Sequence, residues 1–344
     1  MTILSMPTLA VRPRFAAPRY ASWQEAMKDA VRDVDELYRL LDFPGEIGKA
    51  AKEASQQFRL FAPRGFVARM RPGDPFDPLL RQVLPVGDEI ADVPGYFTDP
   101  VSDKAAERQP GLLQKYRGRV LLITSGSCAI HCRYCFRRHF PYQDTPRSLV
   151  YWRQAIAEIA ADTTVQEVIL SGDDPLTLVD DMLFEFIASL AEISHLRRLR
   201  IHTRLPIVIP ERVTDKLVDG LSGCRLTPIV VLHANHENEL DETVATALAV
   251  LSGAGVVLLN QAVLLAGVND STEAQAALCE RLLDLRVIPY YLHQLDRVAG
   301  GAHFEVPVAL GRRIIHELRD RLPGYAVPRY VAEVPGAGSK TVLE

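Results

Sequence analysis

The rhythm of apolar and polar positions changes near residue 119. Beyond it, short apolar runs alternate with amphipathic stretches of helical length. The runs are Val120–Ile123, Val168–Leu170, Leu199–His202, Ile229–Leu232, Val256–Leu259 and Val287–Tyr291. The stretches between them are LVYWRQAIAEIAA, DMLFEFIASLAEI, ERVTDKLVDGL, DETVATALAVL and EAQAALCERLLDL. Strand-then-helix units in succession predict an α/β fold, because parallel neighbours can be joined only by long crossovers. The sheet is expected to curl into a barrel or open barrel.

Earlier in the chain the pattern is different. Trp23, Met27, Val31, Val34, Leu37 and Leu41 recur at helical spacing, and FPGEIGKAAKEASQQF reads as a second helix after the Pro44-Gly45 break. Residues 72–110 are rich in Pro and Asp with little periodicity, as in RPGDPFDPLL, and are expected to be an ordered connector. The chain thus divides into a helical extension and connector over 1–110, a barrel over 111–322 and a C-terminal segment over 323–344.

Sites in such folds gather at the carboxyl ends of the strands. Polar residues follow every apolar run: Ser125 to Cys135, Ser171 to Asp174, His202 to Arg204, His233 to His236, Asn260-Gln261, and His293 to Asp296.

Composition narrows the classes. With 344 residues and 48% hydrophobic content, the chain can bury a large core without staples. Acids number 43 against 39 Lys and Arg, for a net charge of −4, so no global positive field points to nucleic acid or an anionic membrane. No apolar run approaches the ~18 residues of a membrane span, and the first residues lack the apolar core of a secretory signal. A cytoplasmic location is expected. Five cysteines make an odd count, which speaks against a disulfide framework and for metal or reactive chemistry.

Three of those cysteines lie close together in SGSCAIHCRYCFRRH, directly after the first barrel strand. Cys128, Cys132 and Cys135 have the spacing C-x3-C-x2-C. A zinc site completed by His131 or His139 is one reading. A cube-shaped iron-sulfur cluster is the other, with three thiolates on three irons and the fourth iron open. Cys224 and Cys279 lie on helix or helix-end positions and are expected to be small core residues.

This placement resembles the radical S-adenosylmethionine superfamily, whose members have a partial (β/α)6 barrel. There the open iron of a [4Fe-4S] cluster is chelated by S-adenosylmethionine. Ser171-Gly172-Asp173-Asp174-Pro175, after the second strand, is similar to the family's GGDP motif for the cofactor's amino group, with Asp173 in place of the second glycine. The resemblance extends from about residue 60 to the C-terminus. CRYCFRRHFPY, RIHTRLPIVIP, LLNQAVLLAGVND, PYYLHQLDRVAGGAHF and GAGSK look like the lysine 2,3-aminomutase family. The short bacterial branch, which makes (R)-β-lysine for elongation factor P, is the most similar.

The resemblance implies an isomerase acting on L-lysine, with pyridoxal phosphate beside the cluster and an electron donor as partner. It assigns Lys340 to pyridoxal phosphate, and Lys115, Tyr116 and Arg119 to positions near that cofactor. Arg137 matches the arginine for the substrate carboxylate. Asp296 and Glu333 match the two acids for the ε-ammonium. His202, Arg204, His233, Asn235 and Gln261 match positions lining the S-adenosylmethionine side. A homo-oligomer stays open, without the interface zinc of the long enzymes. The alternatives are an aminomutase for arginine or glutamate, and a non-catalytic iron-sulfur or zinc protein.

Overall fold

The computed structural model describes residues 17–44, 48–141 and 149–344. Six parallel strands stand where the apolar runs predict them: β1 (Arg119–Ser125), β2 (Glu167–Gly172), β3 (Arg198–Thr203), β4 (Thr227–Leu232), β5 (Val257–Val263) and β6 (Ile288–His293). Each pairs with the next in chain order, in registers such as Val120↔Val168, Leu170↔Ile201, Val230↔Leu258 and Asn260↔Pro289.

The crossovers are α1 (Leu149–Ala161), α2 (Asp180–Ala191), α3 (Asp215–Ser222), α4 (Glu242–Gly253) and α5 (Thr272–Asp284), followed by α6 (Val308–Arg321). Local chemistry sets several of their starts. Thr214, Asp241 and Ser271 accept hydrogen bonds from backbone N–H groups of the first turns of α3, α4 and α5. Each helix turns its apolar stripe to the sheet, so Leu183, Phe186, Leu217, Val244, Leu248 and Ile314 join Val168, Leu199 and Val230 in one core.

Three features differ from the sequence pattern. The helix expected through Trp23 and Leu41 is two, Trp23–Lys28 and Val34–Leu40. Val31 leaves the helix to pair with Ala62, and Asp33 caps the second helix through Glu36 N at 2.7 Å. The C-terminal segment continues the sheet: β7 (Arg329–Ala332) lies parallel to β6, and β8 (Thr341–Val342) lies antiparallel to β7. At the other edge a short hairpin, Glu107–Gln109 with Leu112–Leu113, pairs with β1. The strands run in one open order from that hairpin to β8.

The N-terminal extension clasps the thiol loop. His131 N donates to Phe61 O and Arg133 N to Gln82 O, both at 2.9 Å. The fully buried Arg133 guanidinium binds Glu89 and the carbonyl of Phe58. Among the described residues no helix is long and apolar enough to cross a membrane.

Candidate active site

One cavity of about 360 Å³ opens at the carboxyl edge of the sheet. Every residue that the resemblance assigns to the site lines it except Asn235. Asn235 is fully buried and spent on structure: its amide donates to Tyr134 Oη at 2.6 Å and Gln82 Oε1 at 3.0 Å, and accepts from Val263 N at 2.8 Å. A polar residue at a strand end here satisfies the backbone of the next strand.

Cys128, Cys132 and Cys135 face the cavity from the loop after β1. Burial pushes the Cys128 thiol well above its ordinary range and Cys135 to about 12. A bound cationic metal centre would reverse that, since a coordinated thiol is deprotonated. The two histidines turn elsewhere. His131 Nδ1 meets Arg59 O at 2.8 Å with its ring stacked on Phe58, and His139 Nε2 meets Ala299 O at 3.0 Å. That geometry favours three thiols without an imidazole ligand.

The turn after β2 explains its own sequence. Gly172 has φ 110°, and a Cβ there would lie 2.8 Å from Ile123 Cγ2 and 2.9 Å from Ser125 O. Only glycine fits. Asp173 is not among the positive-φ residues, so the side chain at this position is accommodated without left-handed strain. The next acid departs from expectation. Asp174 is 2% exposed, and its carboxylate accepts from Leu176 N, Thr203 Oγ1, Arg204 N and Leu205 N. It ties β2 to β3 and is used up there, while Asp173 beside it lines the cavity.

Next to this turn the charges alternate, and Arg137 Nη1 donates to Ser171 Oγ at 3.3 Å. Arg137 Nε binds Asp103 Oδ2 at 2.7 Å, and Lys115 Nζ lies 2.8 Å from Asp103 Oδ1 and 3.7 Å from Glu333 Oε1. Glu333 Oε2 then accepts from Lys340 Nζ at 2.6 Å, and Glu333 Oε1 from Tyr116 Oη at 2.7 Å. Burial raises the Glu333 carboxyl, but Lys340 outweighs it and holds the group below the usual range. Asp296 stands beside this pair with its carboxyl pushed up to about 7, mainly by burial, with Lys340 pulling down and Glu333 pushing up. Arg119 lies over the Tyr116 ring, 4.7 Å from its centroid.

Several cavity residues were not singled out from the sequence. Asp103 comes from the aperiodic connector, which gives no signal for a buried acid. Arg200, Tyr290, Tyr291 and His293 also line the wall, the two tyrosines packed at 3.8 Å between centroids. His293 falls in the strand-end segment that the pattern marked for attention. Burial, with Arg200 beside His202 and Lys340 beside His293, holds both imidazoles well below their ordinary pKa, so they are neutral.

The donor set fits the cofactors that the thiol motif implies. His202 Nε2, His293 Nε2 and Arg204 Nε are buried cavity-wall nitrogens without hydrogen-bond partners among the described residues. An orphaned buried donor costs about 1–3 kcal/mol, which a bound polar ligand would recover. The Lys340 amine and the Lys115 and Arg119 cations supply the groups a phosphorylated aldehyde needs.

Comparison with known proteins gives the family. Residues 122–274 match the Radical SAM superfamily, which defines the class. Similarity to individual proteins covers nearly the whole chain. The L-lysine 2,3-aminomutase of Escherichia coli (strain K12) is 46% identical over 328 residues, 95% of this chain and 96% of that protein. The Haemophilus influenzae protein of the same name is 41% identical over 321 residues, 93% of this chain and 95% of that one. The Clostridium subterminale one is 35% identical, over 93% of this chain and 77% of its own. The chain belongs to the L-lysine 2,3-aminomutase family, a family of radical SAM isomerases. Among solved structures, Streptococcus suis SuiB overlays 64% of this chain and 50% of its own, at 14% identity and a TM-score of 0.49.

Proposed function

We propose that this enzyme converts L-lysine to β-lysine by moving the amino group from Cα to Cβ. Cys128, Cys132 and Cys135 would hold the iron-sulfur cluster. Ser171, Gly172 and Asp173 would meet S-adenosylmethionine, with His202, His233 and Gln261 on the same side. Lys340 would carry pyridoxal phosphate, with Lys115 and Arg119 for its phosphate. When bound, the cluster and S-adenosylmethionine supply a carbon radical able to take hydrogen from an unactivated carbon, and pyridoxal phosphate supplies the conjugated aldehyde that activates the migrating nitrogen.

The observation that carries the reading is the order of charge along the wall. A guanidinium, Arg137, stands at the thiol end, and two carboxylates, Glu333 and Asp296, stand with Lys340 at the other. That order complements an amino acid with a carboxylate at one end and an ammonium at the other. Arg137 brings a guanidinium to the carboxylate, with Asp103 on its Nε and Ser171 Oγ on its Nη1. Glu333 already binds one alkylammonium, that of Lys340, and Asp296 adds the charge for a second. A glutamate substrate would bring a third carboxylate against these two, which specificity would forbid.

The resemblance to the short bacterial branch is the ground on which the R isomer and a role in modifying elongation factor P are proposed. It also supports a cytoplasmic location and a low-potential electron donor as partner. The test is anaerobic incubation of reconstituted protein with L-lysine, S-adenosylmethionine, pyridoxal phosphate and a strong reductant. β-Lysine is expected; cleavage of S-adenosylmethionine with no β-lysine would overturn the substrate assignment.

A further inference from the structure

We infer that Arg204 raises the reduction potential of the cluster by holding a charged N–H on the sulfur of Cys132. This rests on the proposal that Cys128, Cys132 and Cys135 carry that cluster, and it gives Arg204 a role toward a thiol ligand in addition to any toward S-adenosylmethionine.

Arg204 follows β3, and its Nη1 lies 2.7 Å from Cys132 Sγ. The guanidinium is held from several directions at once. Nη1 also donates to Tyr134 Oη at 2.8 Å, and Nη2 donates to Gln82 Oε1 at 2.7 Å and Glu239 Oε2 at 2.8 Å. The Phe66 ring lies against it, 5.4 Å from centroid to Cζ. Glu239 is fixed in turn by Asn235 N at 2.8 Å and His236 N at 3.1 Å. The Arg204 backbone N–H is anchored on Asp174 at 2.8 Å.

All of this is out of water. Gln82 and Glu239 are fully buried, Tyr134 is 4% exposed and Arg204 6%. The partners come from the N-terminal extension, the thiol loop and the segment after β4, so the guanidinium cannot swing away without opening the fold. A buried Arg–Glu pair is by itself weak support for stability, because desolvation offsets the attraction. What distinguishes this pair is its direction: Nη2 faces the carboxylate and Nη1 faces the sulfur. The positive end of the dipole is aimed at a cluster ligand.

Reduction adds one electron, hence negative charge, to the cluster. Hydrogen bonds to the sulfurs and nearby positive charge stabilise that reduced state and raise the potential. The low surrounding dielectric strengthens the effect. Arg204 acts through Cys132, as a positioning and tuning residue.

The test is a redox titration of reconstituted parent, Arg204→Met and Arg204→Lys proteins, read by the electron paramagnetic resonance signal of the reduced cluster. The Met variant is expected to be harder to reduce by at least tenfold in the equilibrium, about 59 mV for one electron. The Lys variant, which keeps a charge but not the fork, should fall between it and the parent. If the Met variant fails to load iron, the Lys variant alone must still shift downward. Potentials equal to the parent's, or higher, would overturn the inference. A parent protein that binds no cluster, by iron and sulfide analysis, would instead refute the reading it rests on.

Discussion

Glu239, fully buried, and Asp296, partly buried on the cavity wall, are both acids near the carboxyl edge of the sheet, and the fold treats them in opposite ways. Burial pushes the Glu239 carboxyl up, but Arg204 and the N–H donors around it outweigh burial and hold it below its usual range. Asp296 has Lys340 nearby and no hydrogen bond to its carboxylate among the described residues, and it stays near 7. The first acid is complete as it stands. The second is short of partners, the condition expected of a group kept for a ligand.

The comparison can be broken at several points. Lys340→Ala should give the largest effect, a loss of turnover of ~10⁴ or more, because the other cavity amine, Lys115, is tied to Asp103 and the Val101 carbonyl. Borohydride trapping and peptide mapping of the parent should label Lys340; label elsewhere would refute the assignment. Glu239→Ala should act on the fold, destabilising by about 3–5 kcal/mol because Arg204 is left buried and unpaired. Denaturant unfolding checks this.

Asp296→Ala should do the reverse. The protein should stay folded and lose about 10²–10³ in kcat/KM for lysine, the penalty of unpairing one end of the substrate. Because the Asp296 carboxyl titrates at about 7, lysine affinity in the parent should fall as pH drops below 7 and the acid is protonated. A KM for lysine flat from pH 6 to 8 would contradict this.

The smallest effect concerns stability. The folded pKa of Asp296 lies above the unfolded value, so the native state binds the extra proton between about 4 and 7. This group therefore contributes stability that is present at low pH and lost as pH rises through 7. Asp296→Asn should raise the stability of the ligand-free protein by about 1–3 kcal/mol at pH 8 and by little near pH 4, measured by thermal unfolding.

Much of this was legible in the sequence, for identifiable reasons. The parallel strands are short apolar runs, of which β2 is buried along nearly its whole length, and the helices between them carry caps and stripes, so period and length gave both away. The thiols and the glycine turn are local motifs. What escaped was whatever depends on chain segments meeting in space. Asp103 reaches Arg137 across 34 residues from a connector without periodicity. Asp174 and Asn235 look like ligand groups in sequence, and only the fold shows that neighbouring backbone consumes them. The break at Val31 was hidden because apolar spacing continues through it, while the partner that pulls it out of the helix, Ala62, lies far along the chain. Strand β7 is four residues long, too short for its period to stand out.

The central claim is that the two carboxylates beside Lys340 select an ammonium. The direct measurement is kcat/KM for L-lysine against L-2-aminoheptanoate, which carries a methyl group in place of the ε-ammonium, in the parent and in Asp296→Asn/Glu333→Gln. The account predicts a preference of at least ~10³ in the parent and less than ~10 in the double variant. A preference that survives the double substitution unchanged would contradict it.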